Sequence, residues 1–284
     1  MGAYEYIQTK QQAWAESRGI SLIGSKAERG KKMYTRTLDM NLFLSLNSAV
    51  VGAFKNGDGN EIEQHGEIPA KMQALHSSSA LAVNAFQYWM DKEISIIASA
   101  CGLCKRGSDK PYKISFERKF TIDERFKFGP NIDVVIENSG SIKAFAIECK
   151  FTEAYSREHP DLKEKYISLN KIWDDIPSIY QLAKTISPKD NDFEHLHPAQ
   201  LIKHILALKK EYGIKGFRLL YLWYDAFGEE GFSHKEEIGR FAKICKEDGI
   251  MFHSLSYQEL IMRLRQDYLD EHGEYIRYLS ERYL

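Results

Sequence analysis

The sequence predicts an α/β fold with a mixed central sheet flanked by helices. Three apolar, β-rich stretches follow one another at about residues 112–121, 131–137 and 143–151. A fourth, at 217–224, comes only after two stretches with helical periodicity. Strands that return to the sheet after helices imply a mixed sheet with helices on both sides. The predicted order of the core is therefore α-β-β-β-α-β.

Residues 1–75 are predicted to form an N-terminal helical extension packed on a core of residues 76–284. Tyr4 and Trp14 belong to an apolar stripe at helical spacing and indicate a first helix. A second helix is predicted at about 39–54. The turn-forming run Asn56-Gly57-Asp58-Gly59 would end it.

The core begins at a run of helix-capping residues. Ser77, Ser78 and Ser79 precede a long helix that is expected to end near Gly102. After the three strands, the predicted elements are helices at about 176–186 and 199–212, a strand at 217–224, a helix at 234–248, a short strand at 250–254 and C-terminal helices from Tyr257.

Composition narrows the class of protein. No apolar run approaches the roughly 18 residues that a membrane span needs, and the densest, 219–224, has the length of a strand. The N-terminus has neither a basic start nor an apolar core, so no secretory signal is visible. Four cysteines form no recognisable disulfide framework. We expect a cytoplasmic protein without a membrane partner.

The candidate catalytic residues lie in one short stretch, residues 130–150. Side chains two apart on a strand share a face, so Glu148 and Lys150 must point the same way, with Asp133 available from the neighbouring strand. The strand is apolar on both faces before it reaches these charges, and charges there are costly unless they are paired, hydrated or metal-bound. Two carboxylates and an ammonium group suit a divalent metal and a water beside a phosphodiester. An ordinary Glu/Lys pair at a strand end is the alternative explanation.

These residues resemble the PD-(D/E)XK nuclease superfamily, which has the restriction-endonuclease-like fold. Pro130 and Asp133 match the first half of its motif, with the proline three residues before the aspartate, and Glu148-Cys149-Lys150 matches the second. Nearly the whole chain also resembles a bacterial family of largely uncharacterised restriction-endonuclease-like proteins. That resemblance rests on Trp14-Ala15, Tyr34-Thr35, Asn41-Leu42-Phe43, Lys71-Met72, the segment 76–84, Tyr180-Gln181-Leu182 and the segment 252–260.

The resemblance implies a metal-dependent DNA endonuclease, restriction-type or directed at foreign DNA. Asp133, Glu148 and the Cys149 carbonyl would hold Mg²⁺, for which Mn²⁺ could substitute. Lys150 would position the water or stabilise the pentavalent phosphate, and its surroundings could lower its pKa. The substrate would be double-stranded DNA, and a homodimer is expected because duplex cutters commonly dimerise. A structure-specific or repair nuclease, and a non-catalytic DNA-binding protein with the same fold, are the alternatives.

A fourth polar group of the site is left open among three candidates. Many members of the superfamily supply an acid from the first core helix, where this chain has Asn84 instead. Glu117 on the first core strand is a second candidate, and an exposed strand glutamate is its ordinary explanation. Gln181 matches a glutamine that some of these nucleases carry on the helix after the lysine strand.

Charge and histidine content add two expectations. The net charge is −1, but basic residues predominate in two segments, and acids outnumber bases thirteen to eight from Asp225 onwards. One side of the protein could therefore face phosphates, although a solvated charged surface would give the same pattern. The first basic segment comprises Lys26, Arg29, Lys31, Lys32 and Arg36, and the second runs from 105 to 127. His195, His197 and His204 lie in loop-like sequence and are predicted to be solvated.

Overall fold

The computed structural model describes residues 1–25, 30–57, 61–107, 109–156 and 161–284. Its strands are β1 (Leu22–Gly24), β2 (Lys32–Thr35), β3 (Pro111–Lys119), β4 (Asn131–Asn138), β5 (Ala144–Lys150), β6 (Phe217–Trp223) and β7 (Phe252–Ser256). Its α-helices are α1 (Ala3–Ser17), α2 (Ser48–Asn56), α3 (Ser78–Phe86), α4 (Ile94–Ala100), α5 (Glu164–Ile167), α6 (Pro177–Thr185), α7 (Pro198–Tyr212), α8 (Glu229–Glu247), α9 (Tyr257–Tyr268) and α10 (Gly273–Tyr283).

The larger sheet has five strands in the order β3-β4-β5-β6-β7. The first three strands run antiparallel to their neighbours, as a meander, and β6 and β7 add in parallel to β5. The prediction of an α/β fold with a mixed central sheet is confirmed. A separate two-stranded antiparallel sheet, β1 with β2, stands beside it.

Helices cover both faces of the large sheet, and each face has its own core. One face carries Val134 and Ile147, which pack in a cluster with residues of α3, α4, α9 and α10. The other face carries Val135 and Ala146, which pack with residues of α6, α7 and α8. Burial on both faces explains why β4 and β5 are apolar almost throughout.

The N-terminal region differs from the predicted helical extension. It contains the β1–β2 hairpin, whose strands of three and four residues are too short to leave a clear periodic pattern. The helix predicted at 39–54 is also wrong over its first half. A 3₁₀ turn at Leu38–Asn41 is followed by extended chain, and α2 begins only after Asn47, whose side chain accepts a hydrogen bond from the Val50 N–H. Asp58 and Gly59 of the predicted stop lie outside the described residues.

The long helix predicted from Ser77 to Gly102 is broken in the middle. It divides into α3, a 3₁₀ segment at Gln87–Asp91 and α4. Polar side chains near the break bind the preceding chain. The Gln87 amide donates to the Ser45 carbonyl and accepts from the Asn47 N–H. These bonds join the N-terminal region to the core.

The C-terminal helix makes the second connection to the N-terminal region. Arg282 on α10 is fully buried and donates hydrogen bonds to Gln11 Oε1, to the Asn41 carbonyl and to Asn41 Oδ1. Its guanidinium carbon lies 4.2 Å from the centre of the Trp14 ring. Buried Arg282 therefore joins the C-terminal helix α10 to the N-terminal helix α1. Within the described part of the chain, no helix has the length and apolar character needed to cross a membrane.

Candidate active site

Strand register brings Asp133 and Glu148 together. The last pair of the β4–β5 register is Val134 with Ile147, so Asp133 and Glu148 are the next residues beyond it along the two antiparallel strands. Directly opposed residues of antiparallel strands share one face of a sheet. Lys150 follows two positions later on that same face, which is the face covered by α7.

Glu148 sits at the centre of a buried polar group. Its Oε1 lies 2.6 Å from Lys150 Nζ and its Oε2 lies 2.7 Å from His204 Nε2. Only 1% of the residue is exposed. Burial by itself would raise the pKa of Glu148, but Lys150 and His204 outweigh it and lower that pKa to about 2. Glu148 is therefore held as a carboxylate.

Lys150 differs from its expected state. Burial favours a neutral amine, yet the carboxylates of Glu148, Asp133 and Glu153 outweigh burial and raise the pKa of Lys150. Its Nζ also donates a 2.8 Å hydrogen bond to Gln200 Oε1. The expectation that its surroundings lower this pKa is wrong, because the residue has more than one carboxylate beside it. Lys150 is a fixed cation.

The pKa of Asp133 is shifted in the opposite direction from that of Glu148. Its Oδ2 accepts a 2.7 Å hydrogen bond from the Cys149 N–H, across the β4–β5 pair. Burial, Glu148 and Glu117 raise the pKa of Asp133 well above its ordinary value, against the smaller effects of Lys150 and the Cys149 N–H. Burial is the largest of these causes, and the two neighbouring carboxylates add to it.

Glu117 continues the row of acids onto a third strand. Phe116 pairs with Val134 and Arg118 pairs with Ile132, which places Glu117 opposite Asp133. Glu117 has a φ of 48°, in the left-handed region that residues other than glycine seldom adopt. Strained backbone of this kind is concentrated at functional sites. Glu117 is the candidate fourth residue that the structure places beside the trio of Asp133, Glu148 and Lys150.

Helix α7 supplies the polar residues that sequence reasoning missed. Gln200, Lys203 and His204 are three and four residues apart, so they lie on one side of the helix. That side faces β5, where Gln200 contacts Lys150 and His204 contacts Glu148. The prediction of solvated histidines is wrong, since His195, His197 and His204 are all buried. The spacing of Gln200 and His204 on a predicted helix was the available signal.

An open cleft of about 540 Å³ leads to these residues. Acidic and basic groups line it together with the aromatic rings of Phe128 and Tyr166, and its members include Glu117, Asp133, Lys203 and His204. Burial and the charges of Lys163, Lys165 and Lys150 lower the pKa of Lys203, although Glu148 opposes them. Carboxylates and positive charge therefore stand on opposing sides of one cleft.

Two of the predicted site residues lie elsewhere. Asn84 is buried on α3, on the other face of the sheet, where its amide bonds the Phe43 N–H, the Asn41 carbonyl and the Tyr283 hydroxyl. Gln181 is exposed on α6 and lines a different cleft, with Pro177 and Arg240. The structure brings neither residue to the trio. The glutamine that contacts Lys150 is Gln200 on α7.

Asp133 and Glu148 offer carboxylate oxygens, the kind of donor that an oxygen-preferring cation uses. Among the described residues, no group of three or more His, Cys, Asp or Glu side chains is arranged to hold a metal. Glu148 Oε1 contacts Lys150 but makes no well-oriented hydrogen bond to any described residue. Two carboxylates and a main-chain carbonyl are an adequate protein share for Mg²⁺, which dehydrates reluctantly.

Several residues of the predicted basic segments have acidic partners. Arg106 pairs with Glu93 at 3.0 Å, and Arg118 pairs with Glu137 at 2.8 Å. Lys26 and Arg29 lie outside the described residues. Of the second segment, Lys127 lies beside Phe128 of the cleft, and further positive charge comes from Lys163 at the N-cap position of α5, from Lys165 and from Lys203 on α7.

Comparison with known proteins identifies the family. A family model described as "Restriction Endonuclease associating with ARP" matches residues 8–284. No curated protein and no solved structure matches the chain. The match agrees with the expected restriction-endonuclease-like family over nearly the whole chain. The chain belongs to the family of restriction endonucleases associating with ARP.

Proposed function

We propose that this protein is a metal-dependent DNA endonuclease of the PD-(D/E)XK type, restriction-type or directed at foreign DNA. The observation that carries the proposal is the grouping of Asp133, Glu148 and Lys150 on adjacent strands, with Asp133 lining an open cleft. The α-β-β-β-α-β element order supports it. The family description supports a nuclease, and its reference to an ARP makes association with such a partner part of the proposal.

Asp133, Glu148 and the Cys149 carbonyl are the proposed holders of Mg²⁺. When bound, the metal would lower the pKa of a water and offset charge on the scissile phosphate. The protein's own part is positioning. His204 and Lys150 hold the two oxygens of Glu148 in place, and the Cys149 N–H holds Asp133.

Lys150 is proposed to stabilise charge rather than to accept a proton. Its raised pKa keeps it an ammonium group, which can donate a hydrogen bond to a phosphate oxygen as negative charge develops there. Gln200 holds that ammonium group from the opposite helix. A protonated lysine is a poor general base, so the proton of the attacking water would leave by another route.

Cleavage of linear duplex DNA tests the proposal. Wild-type protein should cut with Mg²⁺ or Mn²⁺ and stop in EDTA, and Asp133→Asn, Glu148→Gln and Lys150→Met should each lower the rate about 10³-fold or more. Glu93→Gln and Arg106→Met are matched controls, because these exposed residues form a 3.0 Å ion pair and do not line the cleft. If Lys150→Met cuts as fast as wild type, the assigned mechanism is wrong.

A further inference from the structure

Phe128 is an exposed aromatic ring at the edge of the candidate active-site cleft. Its relative exposure is 66%, yet it lines the same cleft as Asp133 and Lys203. Single exposed apolar side chains are common on protein surfaces. An exposed ring beside both the carboxylates and the positive charge of one cleft is a more specific arrangement.

The neighbours of Phe128 hold it firmly. Phe126 is buried, with its ring centre 4.4 Å from that of Tyr166. On the other side, a Cβ at position 129 would lie 1.6 Å from the Phe120 carbonyl oxygen, so only glycine permits this approach of the two chain segments. The Phe120 N–H also donates to the Pro130 carbonyl at 3.0 Å. Phe128 is therefore presented by an anchored turn.

One lysine lies beside the ring and another lines the same cleft. Lys127 Nζ lies 5.1 Å from the centre of the Phe128 ring. Lys203 lines the same cleft and is half-buried, and Lys163 and Lys165 add positive charge near it. An anion between these groups would offset their mutual repulsion. An aromatic face together with cations is the arrangement that binds an unpaired nucleotide, whose base stacks while its phosphate meets the cation.

We propose that the cleft takes one unpaired nucleotide of the substrate strand, with its base stacked on Phe128 and a phosphate on Lys203. This inference rests on the proposed nuclease function and names its substrate more narrowly. The volume of about 540 Å³ is of the size that holds small ligands, roughly 300–1,000 Å³. A nucleotide within a duplex would have to leave its stack to enter, and a mismatched one would do so at lower cost.

The test compares two rates measured on one protein preparation. The substrates are a duplex fragment that the wild type cuts and the same fragment with mismatches at the mapped cleavage position. Wild type should cut the mismatched fragment about tenfold faster. In Phe128→Ala this ratio should fall close to one, whereas Phe128→Tyr, which keeps a ring, should preserve it. A ratio of rates does not depend on the fraction of protein that is folded.

Two further variants separate base stacking on Phe128 from phosphate binding by Lys203. Lys203→Gln should raise KM for both fragments and leave the ratio unchanged, because a phosphate contact does not sense base pairing. Phe227→Ala, which removes a 79% exposed ring that lines a different cleft, should change neither rate.

The outcomes distinguish this inference from the proposed function. If Phe128→Ala keeps the wild-type ratio, or if the wild type shows no preference for mismatched DNA, the stacking role is overturned while the nuclease stands. If the wild type cuts no DNA at all with Mg²⁺ or Mn²⁺, the proposed function falls, and this inference falls with it.

Discussion

His204 Nε2 on α7 lies 2.7 Å from Glu148 Oε2 on β5, and both side chains are 1% exposed. A carboxylate at a metal site needs a fixed orientation, and groups that hold it commonly affect metal affinity and activity by about 10- to 100-fold. His204→Ala should therefore slow cleavage by about this factor and raise the Mg²⁺ concentration needed for half-maximal rate.

His204→Gln should retain part of the activity, because an amide can still donate to Glu148. The exposed His65→Ala is the control. The rate measured over a series of Mg²⁺ concentrations separates a metal-positioning role from a purely structural one. Wild-type metal dependence in His204→Ala would contradict the assigned role.

Two glutamines offer a matched comparison. Gln200 Oε1 accepts a 2.8 Å hydrogen bond from Lys150, whereas Gln181 is exposed on a neighbouring helix. Loss of one hydrogen bond to a charged group corresponds to about tenfold in rate. Gln200→Ala should slow cleavage by this amount and Gln181→Ala should not, with thermal unfolding of both variants used to check the fold. Equal rates for the two variants would remove Gln200 from the site.

The raised pKa of Asp133 predicts that the free energy of unfolding depends on pH. The pKa of Asp133 is raised in the folded protein. At a pH between the ordinary pKa and this raised pKa, the folded protein therefore keeps a proton that the unfolded chain has released. Stability is thus lost as the pH rises through this window. In EDTA at pH 8, Asp133→Asn should be more stable than wild type by about 1 kcal/mol or more, the free energy of one pKa unit.

Urea unfolding at a series of pH values measures this difference. The advantage of Asp133→Asn over wild type should shrink as the pH falls towards the ordinary pKa of an aspartate. Mg²⁺ should in turn stabilise the wild type more than the variant, because a ligand that binds only the folded state adds to its stability. An advantage that stays constant over the whole pH range would contradict the assignment.

Substitution of Arg282, which lies outside the candidate active site, should strongly lower the free energy of unfolding. Replacing it by methionine would leave Asn41 and Gln11 with unpaired buried acceptors, each costing about 1–3 kcal/mol. Arg282→Met should therefore lower the free energy of unfolding by about 3 kcal/mol. The exposed Arg265→Met on α9 should lie within about 0.5 kcal/mol of wild type. Chemical denaturation measures both.

The strands were more predictable than the helical N-terminal region. Strands β3, β4, β5 and β6 lie within two residues of their predicted bounds, because long apolar runs bounded by Gly and Pro leave a clear local signal. The β1–β2 hairpin and the break between α3 and α4 left no such signal. Both depend on contacts with distant segments, such as the bonds from Gln87 to the chain near Asn47.

The sequence by itself determined that Glu148 and Lys150 share a strand face, because side chains two apart on a strand must do so. It also indicated that Asp133 belongs to the neighbouring strand. Only the tertiary structure decided the rest of the candidate site. His204 lies 56 residues from Glu148 along the chain, and Gln200 lies 50 residues from Lys150. The packing of α7 on the sheet brings these side chains to the carboxylates. The raised pKa of Lys150 also needed the structure, because it depends on how closely Glu148 and Asp133 approach Lys150 and on how deeply all three are buried.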